Sequence, residues 1–168
     1  MPELSKQPPL DHETRLQESD HHSIKIWLRL LTCSSLIERR LRNELRQQFN
    51  TTLPRFDFLS QLERKPEGLT MGELSRRMMV SGGNISGIAS QLVKEGLVDR
   101  STVPDNRRTF IVKLTLEGRQ LFAKMAAEHE KWIIDLLGHL KSDEVDDLML
   151  LLNRIKQPIQ DDSDLLFR

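Results

Sequence analysis

The sequence predicts a mainly α-helical protein with one small β-hairpin. Three observations support this fold class. Apolar residues recur at helical spacing along most of the chain, two short helical patterns lie close together at its centre, and two strand-like runs follow them. At 168 residues, the chain fits one domain with flanking helices.

The N-terminal part of the chain is predicted to form a flexible arm followed by two helices. Residues 1–20 contain three prolines and are expected to form a loose arm. A long helix is predicted from about His22 to Phe49. A shorter helix is predicted to begin at Pro54, because a proline in the first turn loses no hydrogen bond.

The centre of the chain predicts two helices joined by a short turn. Thr70 and Glu73 have the spacing of a capping box, so a helix is expected to start there. Its apolar face would include Leu74, Met78 and Met79. Ser81 is placed to cap the second helix, and the connection is as short as a helix-turn-helix requires.

The second helix of this pair has one apolar and one polar face. The polar face offers amide, backbone and ammonium groups, which suit the base edges of a DNA major groove. The expected buried residues are Ile85, Ile88, Ala89, Leu92 and Val93, and the expected polar face consists of Asn84, Gly87, Gln91 and Lys94.

A basic hairpin is predicted after Gly96, which ends the second helix. Residues 97–103 and 109–114 form its strands, and residues 104–106 form its turn. Arg107 and Arg108 are expected at the tip. Two guanidinium groups there are suited to gripping phosphate or entering a narrow minor groove, so the elements together form a winged helix.

The chain resembles the MarR family of bacterial transcription regulators over about residues 24–155. The resemblance lies in the order and spacing of four segments, which are 69–75, 80–87, 92–98 and 106–118. It implies that Arg108 is the minor-groove arginine, with Asn106 where the family usually has aspartate. The expected DNA-binding residues are Arg76, Arg77, Ser81, Gly82, Gly83, Asn84, Gly87, Gln91, Lys94, Arg107 and Arg108.

Glycines occupy the start of the recognition helix, where the family often has arginine. Backbone N–H groups at the helix N-terminus would then make more of the phosphate contacts. The segment from Met79 to Asn84 is similar to the subgroup that responds to hydroxycinnamoyl or other aromatic acyl-CoA thioesters.

The C-terminal part predicts two long helices that need a partner. Thr115 and Ser142 are expected to cap them. Their apolar surface exceeds what a small winged helix can cover, so we expect a symmetric homodimer, which the MarR resemblance also implies. Ordinary intrachain core is the alternative. A dimer would match a pseudo-palindromic double-stranded DNA operator.

A ligand pocket is implied by the MarR resemblance. Small aromatic or other anionic effectors commonly bind between the dimer helices and the DNA-binding lobe of such proteins. Apolar walls with a few polar groups suit this role, although His129 also fits a buried core position and Arg39 a solvated helix face. The candidates are Trp27, Leu31, Arg39, Phe56, Leu59, His129 and Trp132.

The domain boundaries follow from these assignments. They are a flexible arm (1–20), N-terminal helices for dimerisation and the pocket (21–69), a DNA-binding lobe (70–119), C-terminal dimerisation helices (120–157) and an acidic tail (158–168). The net charge is zero, yet residues 70–119 carry 8 basic and 5 acidic groups while the last 28 carry 4 and 7. Positive potential is therefore concentrated on the proposed lobe.

Other functions find little support in the sequence. No catalytic motif, metal site or cofactor loop is evident, so we expect no enzyme. No segment is apolar over a membrane span, and we expect a cytoplasmic protein. Cys33 is expected to be a buried hydrophobe, with thiol sensing as the alternative.

These observations together predict a ligand-responsive transcriptional regulator. The expected action is repression, with release from the operator by an aromatic acid or an aromatic acyl-CoA. A redox-sensing repressor that uses Cys33 and a winged helix that binds protein are the alternatives.

Overall fold

The computed structural model describes residues 11–19, 21–103 and 106–166 and confirms the predicted fold class. Its described part divides into a compact unit that ends at Glu128 and another that begins at His129. The elements are a 3-10 helix (His12–Arg15), α1 (His22–Phe49), α2 (Leu53–Glu63), β1 (Leu69–Thr70), α3 (Met71–Met78), α4 (Gly82–Lys94), β2 (Val98–Val103), β3 (Asn106–Leu114), α5 (Leu116–Leu137) and α6 (Ser142–Leu166).

The second half of the predicted arm is attached to α1. Asp11 caps the 3-10 helix by accepting from the Glu13 N–H at 2.8 Å. The Glu13 carboxylate pairs with Arg29 of α1 at 3.0 Å, and His12 Nε2 lies 3.4 Å from Ser35 Oγ. These contacts hold the 3-10 helix in place. The prolines of the arm lie outside the described residues.

The core of the first unit lies among α1, α2, α3, α4 and the sheet. Phe56 of α2 packs against Phe122 of α5, with ring centroids 5.5 Å apart. The fully or almost fully buried apolar residues of this core include Leu45, Phe58, Leu59, Leu62, Leu74, Ile85, Leu92, Val98, Val112 and Met125. This core fixes α3 and α4 against the sheet.

The sheet has three antiparallel strands in the order β1-β3-β2. Leu69 of β1 lies opposite Val112, and Val98 of β2 lies opposite Leu114. The sequence did not predict β1, since two residues carry no alternating pattern. Gly68 precedes it with φ +95°, and a Cβ there would lie 2.4 Å from Ile111 Cγ2, so only glycine fits.

Among the predicted helix caps, Thr70 and Thr115 are confirmed and Ser142 is wrong. Thr70 and Glu73 form the reciprocal capping box, and the Thr115 hydroxyl accepts from the Gly118 N–H at 2.9 Å. Ser142 is not the cap of α6, because it is already the first helical residue. Lys141 precedes it, and its N–H donates to the Glu144 carboxylate at 2.8 Å.

The hairpin strand β3 begins at Asn106, earlier than predicted. Asn106 pairs with Val103, so Arg107 and Arg108 belong to β3 instead of the connecting turn. The hairpin closes within fewer residues than the turn signal indicated. Pro104 and Asp105 lie outside the described residues, as do the side chains of Arg107 and Arg108.

The second unit contains the end of α5 and all of α6. Helix α6 continues through Pro158 to Leu166, so most of the predicted acidic tail is helical. Many of its apolar side chains are exposed in the single chain: Val145, Leu148, Met149, Leu150, Leu151, Leu152, Ile155 and Ile159. Among the described residues, no helix combines the length and apolarity that crossing a membrane requires.

Candidate nucleic-acid interface

The polar face of α4 is open to solvent. Four residues of the predicted apolar face, Ile85, Ile88, Ala89 and Leu92, are buried against the core. Val93 was expected to be buried with them, which is wrong, because it lies at the edge of that face and is 38% exposed. The predicted polar residues Asn84, Gly87, Gln91 and Lys94 are all exposed.

The N-terminus of α4 presents backbone N–H groups without a side-chain cap. Ser81 occupies the N-cap position, as predicted, but its side chain makes no capping hydrogen bond. Gly82 and Gly83 are exposed, and an added Cβ at either would meet nothing within 4 Å. The same holds for Gly87 one turn later. Such a terminus, with its dipole, favours anionic groups.

The turn between α3 and α4 directs the Met79 side chain toward solvent. Helix α3 ends at Met78, and Met79 adopts the left-handed conformation with φ 54°. The prediction of a buried Met79 is therefore wrong, because the side chain leaves the helical face and is 91% exposed. Arg76 and Arg77, in the last turn of α3, are exposed beside it.

The start of α3 is held by its capping box. The Thr70 N–H and hydroxyl both donate to the Glu73 carboxylate at 2.8 Å. These hydrogen bonds lower the pKa of Glu73, since they stabilise its charged form. Glu73 is therefore ionised at neutral pH and fixes the first turn of the helix-turn-helix.

A groove of about 390 Å³ lies along the polar face of α4. One wall consists of Gly83, Asn84, Gly87, Ile88 and Gln91, and the other consists of Asn50, Thr51, Thr52, Pro54 and Arg55. A second groove, of about 440 Å³, shares the α1–α2 connection and adds Arg42 and Arg46. Sequence reasoning missed the second wall, because no motif marks it and only tertiary packing brings it to α4.

An ion pair connects α2 to the end of α4. Arg55 Nη1 donates to Glu95 Oε1 at 2.8 Å, and Arg55 Nη2 contacts Glu95 Oε2. The hydrogen bond from Arg55 lowers the pKa of Glu95. Arg55 Nε is buried and has no hydrogen-bond partner among the described residues. The pair positions the C-terminal end of α4.

The hairpin carries a further basic side chain on its described part. The guanidinium carbon of Arg100 lies 3.6 Å from the centroid of the Phe110 ring. This cation–π contact holds the exposed Arg100 side chain against the hairpin. Sequence reasoning did not predict this contact, because Arg100 and Phe110 lie on different strands of the hairpin.

The predicted ligand residues have very different surroundings. In the first unit, Trp27 and Arg39 are exposed, Leu31 is half-buried, and Phe56 and Leu59 are buried in the core. In the second unit, the rings of His129 and Trp132 meet edge to face with centroids 6.4 Å apart. Burial lowers the pKa of His129, so its neutral form is favoured.

The burial of Thr32 and the exposure of Cys33 on α1 were not predicted from the sequence. Thr32, which sequence reasoning missed, is 5% exposed, and its hydroxyl has no hydrogen-bond partner within the described part of the chain. Cys33 was expected to be buried, which is wrong, since it is exposed on α1. The apolar composition around it did not reveal which side of the helix faces solvent.

Comparison with known proteins identifies the family to which this chain is similar. A family model described as the MarR family matches residues 49–109. An uncharacterised helix-turn-helix-type transcriptional regulator of Bacillus cereus (strain ATCC 14579) is 32% identical over 103 residues, which is 61% of this chain and 67% of that protein.

Two solved structures share the fold. A MarR family transcriptional regulator from Silicibacter pomeroyi matches with a TM-score of 0.72 and 27% identity, over 86% of this chain and 99% of that one. Sco3205, a MarR family regulator from Streptomyces coelicolor solved in complex with DNA, matches with a TM-score of 0.75 and 19% identity, over 86% and 92%.

Proposed function

Because this chain belongs to the MarR family of DNA-binding transcriptional regulators, we propose that it is a homodimeric repressor released from its operator by a small aromatic effector. The predictions of a MarR regulator and of a protein without enzyme activity are confirmed by its relatives. The repression, the operator geometry and the effector are the proposed part.

The open polar face of α4 carries the proposal for DNA recognition. Amide and ammonium groups on this face match hydrogen-bonding base edges, and the glycines allow the helix backbone to approach the DNA closely. The α1–α2 connection forms the other wall of the groove along this face. If α4 enters the major groove, that wall lies against the sugar-phosphate backbone.

The remaining proposed DNA contacts surround this face. Arg76, Arg77, Ser81, Gly82 and Gly83 would contact phosphates near the N-terminus of α4, while Arg107 and Arg108 would reach the minor groove. Lys94 would contact the backbone at the other end of the helix. Residues 70–119 therefore form the proposed DNA-binding lobe. Binding to genomic DNA would place the protein in the cytoplasm.

The exposed apolar surface of α6 supports a homodimer. Eight large apolar side chains of one helix are exposed in the single chain. Monomeric proteins rarely leave such a surface uncovered, and a second copy would bury it symmetrically. Two copies of α4 one DNA turn apart would then read the two halves of a palindrome.

Effector binding remains a proposal, and its candidate residues lie in each of the two units. Thr32 supports it, because a buried hydroxyl without a partner favours a ligand that supplies one. The proposed effector contacts in the first unit are Trp27, Leu31, Arg39, Phe56 and Leu59, and those in the second unit are His129 and Trp132. Since Phe56 and Leu59 are buried in the core, their contribution would require a rearrangement on binding.

The proposal is tested by titrating a labelled DNA fragment from upstream of the gene. We expect specific binding, and release by a hydroxycinnamate or by its CoA thioester, with the thioester effective at lower concentration. Tenfold weaker DNA binding requires about 1.4 kcal/mol of coupling. Absence of specific binding would instead favour a winged helix that binds protein.

Thiol sensing is the second candidate, favoured by the exposure of Cys33. Peroxide would then release the DNA from the parent protein but not from Cys33→Ser. If peroxide releases the DNA and neither aromatic ligand has an effect, thiol sensing replaces the ligand hypothesis.

A further inference from the structure

Met79 combines an unfavourable backbone conformation with almost complete exposure. Its φ of 54° lies in the left-handed region, where long side chains are rare and glycine is favoured. The side chain is 91% exposed, more than any other large hydrophobic residue of the described chain. Burial in the core therefore does not explain why an apolar residue occupies this position.

The turn around Met79 is fixed by hydrogen bonds on both sides. The Ser75 hydroxyl donates to the Val80 carbonyl at 2.5 Å, and the Val80 N–H donates to the Ser75 carbonyl at 3.2 Å. The Met79 N–H donates to the Arg76 carbonyl at 3.2 Å. Strained residues persist where the surroundings determine them in this way, and they are often found at functional sites.

The position of Met79 determines which partner its side chain meets. It follows the exposed residues Arg76 and Arg77 and stands three residues before Gly82, the start of α4. The arginines and the free N–H groups of the α4 N-terminus attract phosphate, so this turn comes close to DNA whenever α4 binds. In a major groove, the apolar group available to a methionine is the C5-methyl of thymine.

We propose that Met79 contacts a thymine methyl group in the operator and thereby contributes to sequence preference. This inference rests on the proposed DNA binding by α4. It adds an apolar contact, made by the turn, to the hydrogen-bonding groups of the helix face.

The first test separates stability from DNA affinity. In Met79→Gly, the left-handed turn becomes unstrained, so we expect a melting temperature equal to the parent's or up to about 3 °C higher. We expect DNA affinity to fall about 3- to 10-fold, near the lower end of what one mismatched base pair costs. Met79→Leu keeps an apolar side chain and should retain affinity within about 2-fold. Unchanged affinity in Met79→Gly would overturn the proposal.

The second test identifies the methyl group. An operator in which deoxyuridine replaces thymidine lacks all C5-methyl groups. The parent should bind it about 3- to 10-fold more weakly than the thymidine operator, whereas Met79→Gly should bind both operators more nearly equally. If the deoxyuridine operator weakens binding equally for the parent and for Met79→Gly, Met79 does not contact a methyl group. Failure of the parent to bind any operator would overturn DNA binding itself and this contact with it.

Discussion

Arg55 of α2 and Glu95 at the end of α4 form an ion pair through two contacts, although 40 residues separate them in the chain. The pair joins the helix that carries one wall of the groove to the helix that forms the other wall. It therefore holds the proposed recognition helix at a fixed distance from the α1–α2 connection.

The first prediction concerns the pH dependence of this pair. The pKa of Glu95 is lowered from 4.5, so its stabilising effect is present above that value and is lost as the pH falls through the folded pKa. Because the pair is partly exposed, Glu95→Gln should lower the free energy of unfolding by only about 0.5–1 kcal/mol at pH 7. The difference from the parent should shrink between pH 5 and 3.

Urea unfolding at a series of pH values measures this effect. The matched control is Glu63→Gln, which removes an exposed carboxylate from the last turn of α2. It should change the unfolding free energy little at any of these pH values. A loss in Glu95→Gln that stays constant down to pH 3 would argue against the ion pair as its cause.

The second prediction concerns the hairpin. Arg108→Ala should weaken operator binding about 10-fold and leave the melting temperature nearly unchanged, because residues near a hairpin end contribute little to a core. The slope of log affinity against log salt should fall by about 1, because one positive charge is removed from the DNA interface and fewer counterions are released. Lys124→Ala removes an exposed charge from α5 and serves as the control. An equal effect of the two variants would refute the assignment of Arg108.

The third prediction concerns Gly87 on the polar face of α4. Alanine is favoured over glycine inside a helix by about 0.8–1.0 kcal/mol, and a Cβ here would meet nothing within 4 Å. Gly87→Ala should therefore raise the melting temperature. If the helix backbone approaches DNA closely, the same methyl group should weaken operator binding at least several-fold. Thermal melting and fluorescence polarisation on one preparation measure both, and unchanged affinity would exclude a close approach at this position.

The fourth prediction concerns assembly through α6. The double variant Leu148→Asp/Leu152→Asp places two charges among the exposed apolar side chains of this helix. Because buried unpaired charge is costly, the proposed dimer should dissociate, and sedimentation should report the mass of one chain. Asn153→Asp adds a charge at a polar position of the same helix and should leave the dimer intact. A parent protein that sediments as a monomer would contradict the dimer and the palindrome together.

Local sequence signals predicted most of the helices and half of the site. The capping box of Thr70 and Glu73, the cap at Thr115 and the two faces of α4 all depend on residues within a few turns of each other. The exposed row of Asn84, Gly87 and Gln91 could therefore be read from spacing alone.

The sequence by itself determined the helix-turn-helix, the hairpin and the polar face of α4, because periodicity and capping act over short distances. Only the tertiary structure decided that Met79 is exposed, since the residue at which α3 ends sets the direction of its side chain. Packing also decided the contact of Arg55 with Glu95 and the groove between α4 and the α1–α2 connection. A local sequence pattern does not indicate such contacts between residues far apart in the chain, because these contacts depend on how the elements pack on their shared core.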